Sequence, residues 1–233
     1  MKALKIIPLI LLSLLIISCK KENIQSSGIG DVLIISKKSG NDYVFGLSLY
    51  AYTFSSFKSI TATNSAEPGK TYTLNSNQGY KTSFLYETPD TAYRTTKPLS
   101  GTFNFSAIFE NGVTQEFQNV LSDKVLSPAI IDTCKYNSTK HLLRLTWKPV
   151  TDAESYAINI MNGSTLAYSS PLLPTSQNAV WISSSLNGWT SGNSPVSGKT
   201  YKVVVFSYLY EPVKTSYNIQ CVSVAESETV WGN

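Results

Sequence analysis

Histidine is almost missing from this chain of 233 residues, which has only His141, and methionine and cysteine are nearly as scarce at two and three. A single imidazole excludes a histidine-based metal cluster and an HExxH helix. Charged residues make up 15% of the chain, 19 basic against 15 acidic, and the basic ones are scattered. That spread excludes the basic stripe of a nucleic-acid binder, and no zinc-finger spacing occurs. No GxSxG elbow, Walker loop or GxGxxG fingerprint is present, and the lone Gly28-Ile29-Gly30 needs no phosphate to explain it. Apolar runs stop short of the ~17–25 residues that a spanning helix needs, and no long stretch keeps a helical period. The expectation is a non-catalytic chain with no catalytic residue, no metal and no cofactor.

Tyr, Ser, Thr and Val dominate what is present, in short apolar runs broken by Gly, Pro and Asn, which is an all-β composition. Residues 31–36, 43–53, 71–75 and 79–87 read as strands, with Pro68-Gly69-Lys70 as a turn before the third. The clearest hairpin joins 102–110 to 113–120 at Asn111-Gly112, a dipeptide that predicts a type I′ turn. Phe103, Phe105, Ala107 and Phe109 alternate onto one face, as a half-buried strand requires. Together these predict about seven strands ending near Ser127-Pro128. A second series follows, with Leu143, Leu145 and Trp147, then Tyr156, Ile158 and Ile160, then Tyr201, Val203 and Val205 alternating inward.

At the N-terminus, Lys2 and Lys5 precede an apolar core, residues 6–17, that closes at Ser18-Cys19 and runs into Lys20-Lys21-Glu22. This resembles a bacterial lipoprotein signal peptide, and the junction is similar to those of Bacteroidetes lipoproteins. The resemblance implies cleavage before Cys19, acylation of Cys19 and a membrane partner held through that lipid. It places the protein in the cell envelope, at the periplasmic face of the outer membrane or at the cell surface. The division that follows is a leader over 1–18, a tether over 19–30, an immunoglobulin-like β-sandwich over 31–127 and a second β-sandwich over 128–233.

The second of these resembles a fibronectin type III domain. Trp147 sits where that family has its second-strand core Trp, and residues 149–156 resemble its loop into the third strand. Residues 196–201 resemble the approach to the tyrosine corner, which implies a Tyr201 hydroxyl bonded to upstream backbone. The loop over 183–197, with Trp189, is longer than the family pattern. In the first half, residues 101–105 and Asn111-Gly112 resemble the last hairpin of bacterial immunoglobulin-like modules.

Candidate sites are few. Trp189, in a polar loop, either stacks on a sugar or a protein partner as an exposed anchor, or folds back to cap the core. Trp181 lies in an apolar strand and faces either way, and Tyr168 is a weaker candidate of the same kind. Cys134 and Cys221 either form a disulfide, which an exported chain permits, or stay free. Asp90-Thr91-Ala92 matches a short acceptor pattern for O-glycans on exported Bacteroidetes proteins, making Thr91 a candidate. Asp152 and Glu154 fall in a structural loop, and Glu226 and Glu228 share a strand face, either solvated or open to a cation. The expected role is a binding or display module, for a polysaccharide or for an envelope protein.

Overall fold

The computed structural model describes residues 26–212 and 218–232. The leader, Cys19 and the tether as far as residue 25 lie outside the described residues. Seven strands build the first sandwich: β1 (Gly28–Ser39), β2 (Asp42–Thr53), β3 (Phe57–Asn64), β4 (Thr71–Asn77), β5 (Tyr80–Glu87), β6 (Gly101–Phe109) and β7 (Thr114–Leu121). Their hydrogen-bonded order is β1-β2-β5-β4-β3-β6-β7. The order divides within β4, whose residues 71–74 pair with β3 while Asn75 and Ser76 pair with β5. One sheet is therefore β1-β2-β5-β4 and the other β3-β6-β7, the ABED and CFG grouping of an immunoglobulin constant-type sandwich. Phe103, Phe105, Ala107 and Phe109 are fully buried from β6, against Val32 and Ile34 of β1 and Leu47 and Leu49 of β2.

Two local expectations change. The tether reading extended through Gly30, but β1 begins at Gly28, whose N–H donates to Gln115 Oε1 at 3.0 Å. Gly28 and Gly30 run beneath the stacked rings of Phe105 and Phe117, and a Cβ on Gly30 would fall 2.7 Å from Phe105. The absent side chains let backbone and ring touch. The Asn111-Gly112 turn is not type I′, because only Gly112 has positive φ, at 82°. Phe109 N–H donates to Val113 C=O across a three-residue loop, which tolerates a right-handed Asn111. A type I′ geometry occurs instead at Gln78-Gly79, with φ of 51° and 82°.

The second sandwich contains β8 (Ile131–Asn137), β9 (Leu142–Trp147), β10 (Ser155–Asn162), β11 (Thr165–Ser169), β12 (Leu173–Pro174), β13 (Ala179–Ser183), β14 (Thr200–Tyr210) and β15 (Ile219–Val230). Its sheets run β13-β9-β8 and β11-β10-β14-β15, with β12 beside β10. This three-plus-four arrangement agrees with the fibronectin type III resemblance. Trp147 is fully buried, edge-on to Tyr156 at 5.4 Å, and the Tyr156 hydroxyl accepts from Val150 N–H. The Tyr201 hydroxyl accepts from Val196 N–H at 3.0 Å, closing the tyrosine corner.

The sandwiches are joined by backbone. β1 pairs with β15 in parallel, Ile34 opposite Cys221 through Lys37 opposite Val224, so one sheet runs through both halves. Cys221 consequently packs in the first core although its strand belongs to the second sandwich, while Cys134 packs against the second core. That placement corrects the disulfide alternative: both thiols are free. Burial pushes the Cys221 thiol up to about 11 and raises Cys134 as well.

Candidate ligand cleft and exposed faces

Strands β13 and β11 are the outer strands of their two sheets, and a cleft of about 450 Å³ opens between them. Ile158, Leu173, Ile182 and Leu186 give it an apolar floor and wall, with Tyr168 and Trp181 as its aromatic members and Gln177 and Asn187 as amides. Two of the three predicted contact residues therefore meet here. Trp181 is 52% exposed because its alternate neighbours, Val180 and Ile182, take the inward positions of β13. Tyr168 is 2% exposed and offers only an edge to the cleft; burial raises its phenol pKa.

Trp189 is placed elsewhere. Its loop folds back, Ser169 N–H donates to Gly188 C=O, and the indole Nε1 donates to Ser183 C=O at 2.9 Å. The ring lies 5.2 Å from Tyr168 and 5.3 Å from Trp231. Of the two readings of Trp189, the structure takes the core cap. Gly188 permits the fold-back, with φ of 119° and no room for a Cβ beside Ser169 C=O. Trp231, missed in the sequence, completes the cap from the end of β15; two Trp residues flanking the Tyr201 strand were the available signal.

Among the described residues β13 pairs with no strand on its outer side. The Ala179 and Ser183 carbonyls point there, to Gln177 Nε2 and Trp189 Nε1 respectively. Trp181, two residues from each, turns its own backbone amide and carbonyl to that side. The cleft thus combines an apolar trough with the hydrogen-bonding edge of a strand.

A second groove needs both sandwiches. The outer face of the joined sheet carries Leu33, Ile35, Val204, Phe206, Val222 and Val224 in a groove of about 580 Å³. Ion pairs Lys37–Asp90 at 2.8 Å and Lys202–Glu226 at 3.0 Å stand at its sides. Tyr93 covers one end by lying over Gly46, where a Cβ would meet its ring at 2.7 Å. Sequence alternation shows each stripe but cannot show that β1 and β15 place them together. Near the junction Asp31 faces Glu211, and burial with that second carboxylate raises its pKa to about 6.

Other candidates are dispersed. Thr91 is exposed in a 3-10 turn, Asp90–Ala92, and its carbonyl accepts from Arg94. Glu154 accepts from Tyr210 N–H, and Glu226 is engaged by Lys202. Among the described residues no three His, Cys, Asp or Glu side chains gather to hold a metal ion. His141 occupies an exposed turn with φ of 53°.

No protein-family model matches the chain, and no curated protein matches it. Solved structures do match. Fibronectin(III)-like modules of Clostridium thermocellum CbhA share 7% identity over 87% of this chain and 93% of theirs, with a TM-score of 0.28. A tetra-tandem repeat in the extending region of a large adhesion protein shares 15% identity over 87% of this chain and 48% of its own, with a TM-score of 0.23. At these scores neither bears on activity, and the fold assignment rests on the strand order above.

Proposed function

We propose that this protein is a non-catalytic binding module of the bacterial cell envelope, held by a lipid on Cys19, whose second sandwich takes an extended apolar segment of a partner polypeptide. The observation that carries this reading is the cleft between β11 and β13. A sugar ring can lay its C–H face on an indole, but the hydroxyls around its rim need partners, and each one desolvated without a partner is costly. The floor of Ile158, Leu173, Ile182 and Leu186 supplies no such partners, whereas it suits aliphatic side chains. An added strand would also pair with the outward backbone amide and carbonyl of Trp181, combining main-chain hydrogen bonds with side-chain pockets.

A carbohydrate ligand is the second reading, favoured by the exposed Trp181 indole beside the Gln177 and Asn187 amides. One experiment separates the two. A displayed random-peptide library and a glycan array are both screened with the full mature protein and with Trp181→Ala. The expected result is enrichment of peptides with alternating apolar residues, bound at least about tenfold more weakly by the variant, a loss of about 1.4 kcal/mol. Glycan binding that vanishes in Trp181→Ala, with no peptide enriched, would replace the first reading by the second.

A further inference from the structure

The first sandwich has an apolar end, and it is the end from which the N-terminal segment departs. Ile29 lies opposite Tyr52 in the β1–β2 ladder, and the Tyr52 ring meets Phe54 edge-on at 5.2 Å. Phe54, at the β2–β3 turn, is 83% exposed, Ile29 64% and Tyr80 63%, with Val113 exposed at the β6–β7 turn. Turns do not normally carry a bare Phe, since water-facing loop tips are built from small and polar residues. Lys58 and Lys81 are exposed at the same end, and Glu110 is held by Lys81 at 2.7 Å.

The departing chain is fastened among these residues. Thr53 Oγ1 donates to Ser27 C=O at 2.6 Å, and Asn111 Nδ2 donates to Ser26 Oγ at 2.9 Å. From Ser26 back to Cys19 is seven residues, a span of no more than about 25 Å when fully extended. A lipid on Cys19 therefore keeps this end within that distance of a bilayer at all times.

We propose that the Ile29–Tyr52–Phe54 cluster, with Lys58 and Lys81, is a membrane-contact surface that sets the first sandwich end-on upon the lipid headgroups. This rests on the lipid at Cys19 proposed above. Phe54 enters the boundary between headgroups and acyl chains, where aromatic residues partition, and the Lys58 ammonium meets lipid phosphates while Lys81 neutralises the Glu110 carboxylate. The surface gives the attachment a direction, because a single acylated point fixes distance while a second contact fixes orientation.

The test uses the mature lipoprotein, made in a bacterium that acylates it, in phosphatidylethanolamine–phosphatidylglycerol vesicles whose lipids carry bromine near the headgroup. The native Trp147, Trp181, Trp189 and Trp231 all belong to the second sandwich and give the background emission. Phe54→Trp is expected to add a blue-shifted emission that the brominated lipids quench, and Val113→Trp, at the neighbouring turn, is expected to do the same. Acylated variants quenched no more than the wild-type protein would overturn the surface while leaving the anchor standing. A mature chain with no acyl group on Cys19 would overturn both.

Discussion

The two sandwiches have similar strand complements but treat their edges differently. In the first, β4 changes sheets midway, pairing with β3 and then with β5, so one corner is closed by continuous hydrogen bonding. In the second, β13 and β11 end their sheets without crossing, and a cleft lies between them. An unpaired strand edge is a hazard that folds usually suppress. An open edge beside an apolar trough marks the second sandwich, and under the proposed function it is the sandwich that makes contact while the first sets position.

The largest test of this division is a cavity in either core. Trp147→Ala and Phe105→Ala are each expected to cost about 3–5 kcal/mol. Because β1 and β15 share a ladder and Cys221 reaches into the first core, each is expected to lower one common calorimetric transition. Two separate transitions, only one of them shifted, would show that the sandwiches fold independently.

Gly30→Ala is the next largest. Its new methyl would sit 2.7 Å from Phe105, so a loss of about 1–3 kcal/mol is expected from overpacking. Measured by urea unfolding, a neutral result would mean that the Phe105–Phe117 stack shifts freely and that the first sandwich is less rigid than the contrast requires.

Asp31 gives a pH-dependent test at the junction. Its folded pKa, about 6, lies above its ordinary value, 3.8. The folded state therefore holds a proton that the unfolded state has already lost. The resulting stabilisation is complete below about pH 4 and is lost as pH rises through about 6. The gap between the two values corresponds to about 3 kcal/mol; allowing for water at this partly exposed group, roughly 1–2 is expected. Asp31→Asn is expected to flatten the stability profile across that window and to raise stability at pH 7.5. An unchanged slope would place its cause elsewhere.

Trp181→Ala is expected to have the smallest effect on stability, within about 0.5 kcal/mol, because the indole is half exposed. Its effect is reserved for binding. A large loss of stability would make Trp181 a packing residue and weaken the contrast between the sandwiches.

Alternation made much of this fold legible. The inward runs Phe103-Phe105-Ala107-Phe109, Leu143-Leu145-Trp147 and Tyr201-Val203-Val205 all fall on buried faces. β3 was harder to read, because Ser59, Thr61 and Thr63 weaken its apolar signal. The Gly28–Gly30 stretch was hidden for a related reason: glycine composition is the same in a linker and beneath an aromatic stack, and only the partner ring decides. Trp181 and Tyr168 were singled out as aromatics in strands, yet their meeting at one cleft depends on the pairing of β13 with β9 and of β11 with β10. The groove across β1 and β15 was beyond local reading altogether, since its residues are separated by most of the chain.

The parallel ladder between β1 and β15 also governs the order of events during synthesis. The segment that forms β1 is made well before the segment that forms β15. Part of one side of β1, Ile34 to Lys37, lacks its partner until β15 has been made. Non-local pairing of this kind folds slowly and leaves intermediates with bare strand edges. A chain truncated before β15 is thus exposed along part of β1, and proteases gain a window on unfinished molecules that closes when β15 pairs.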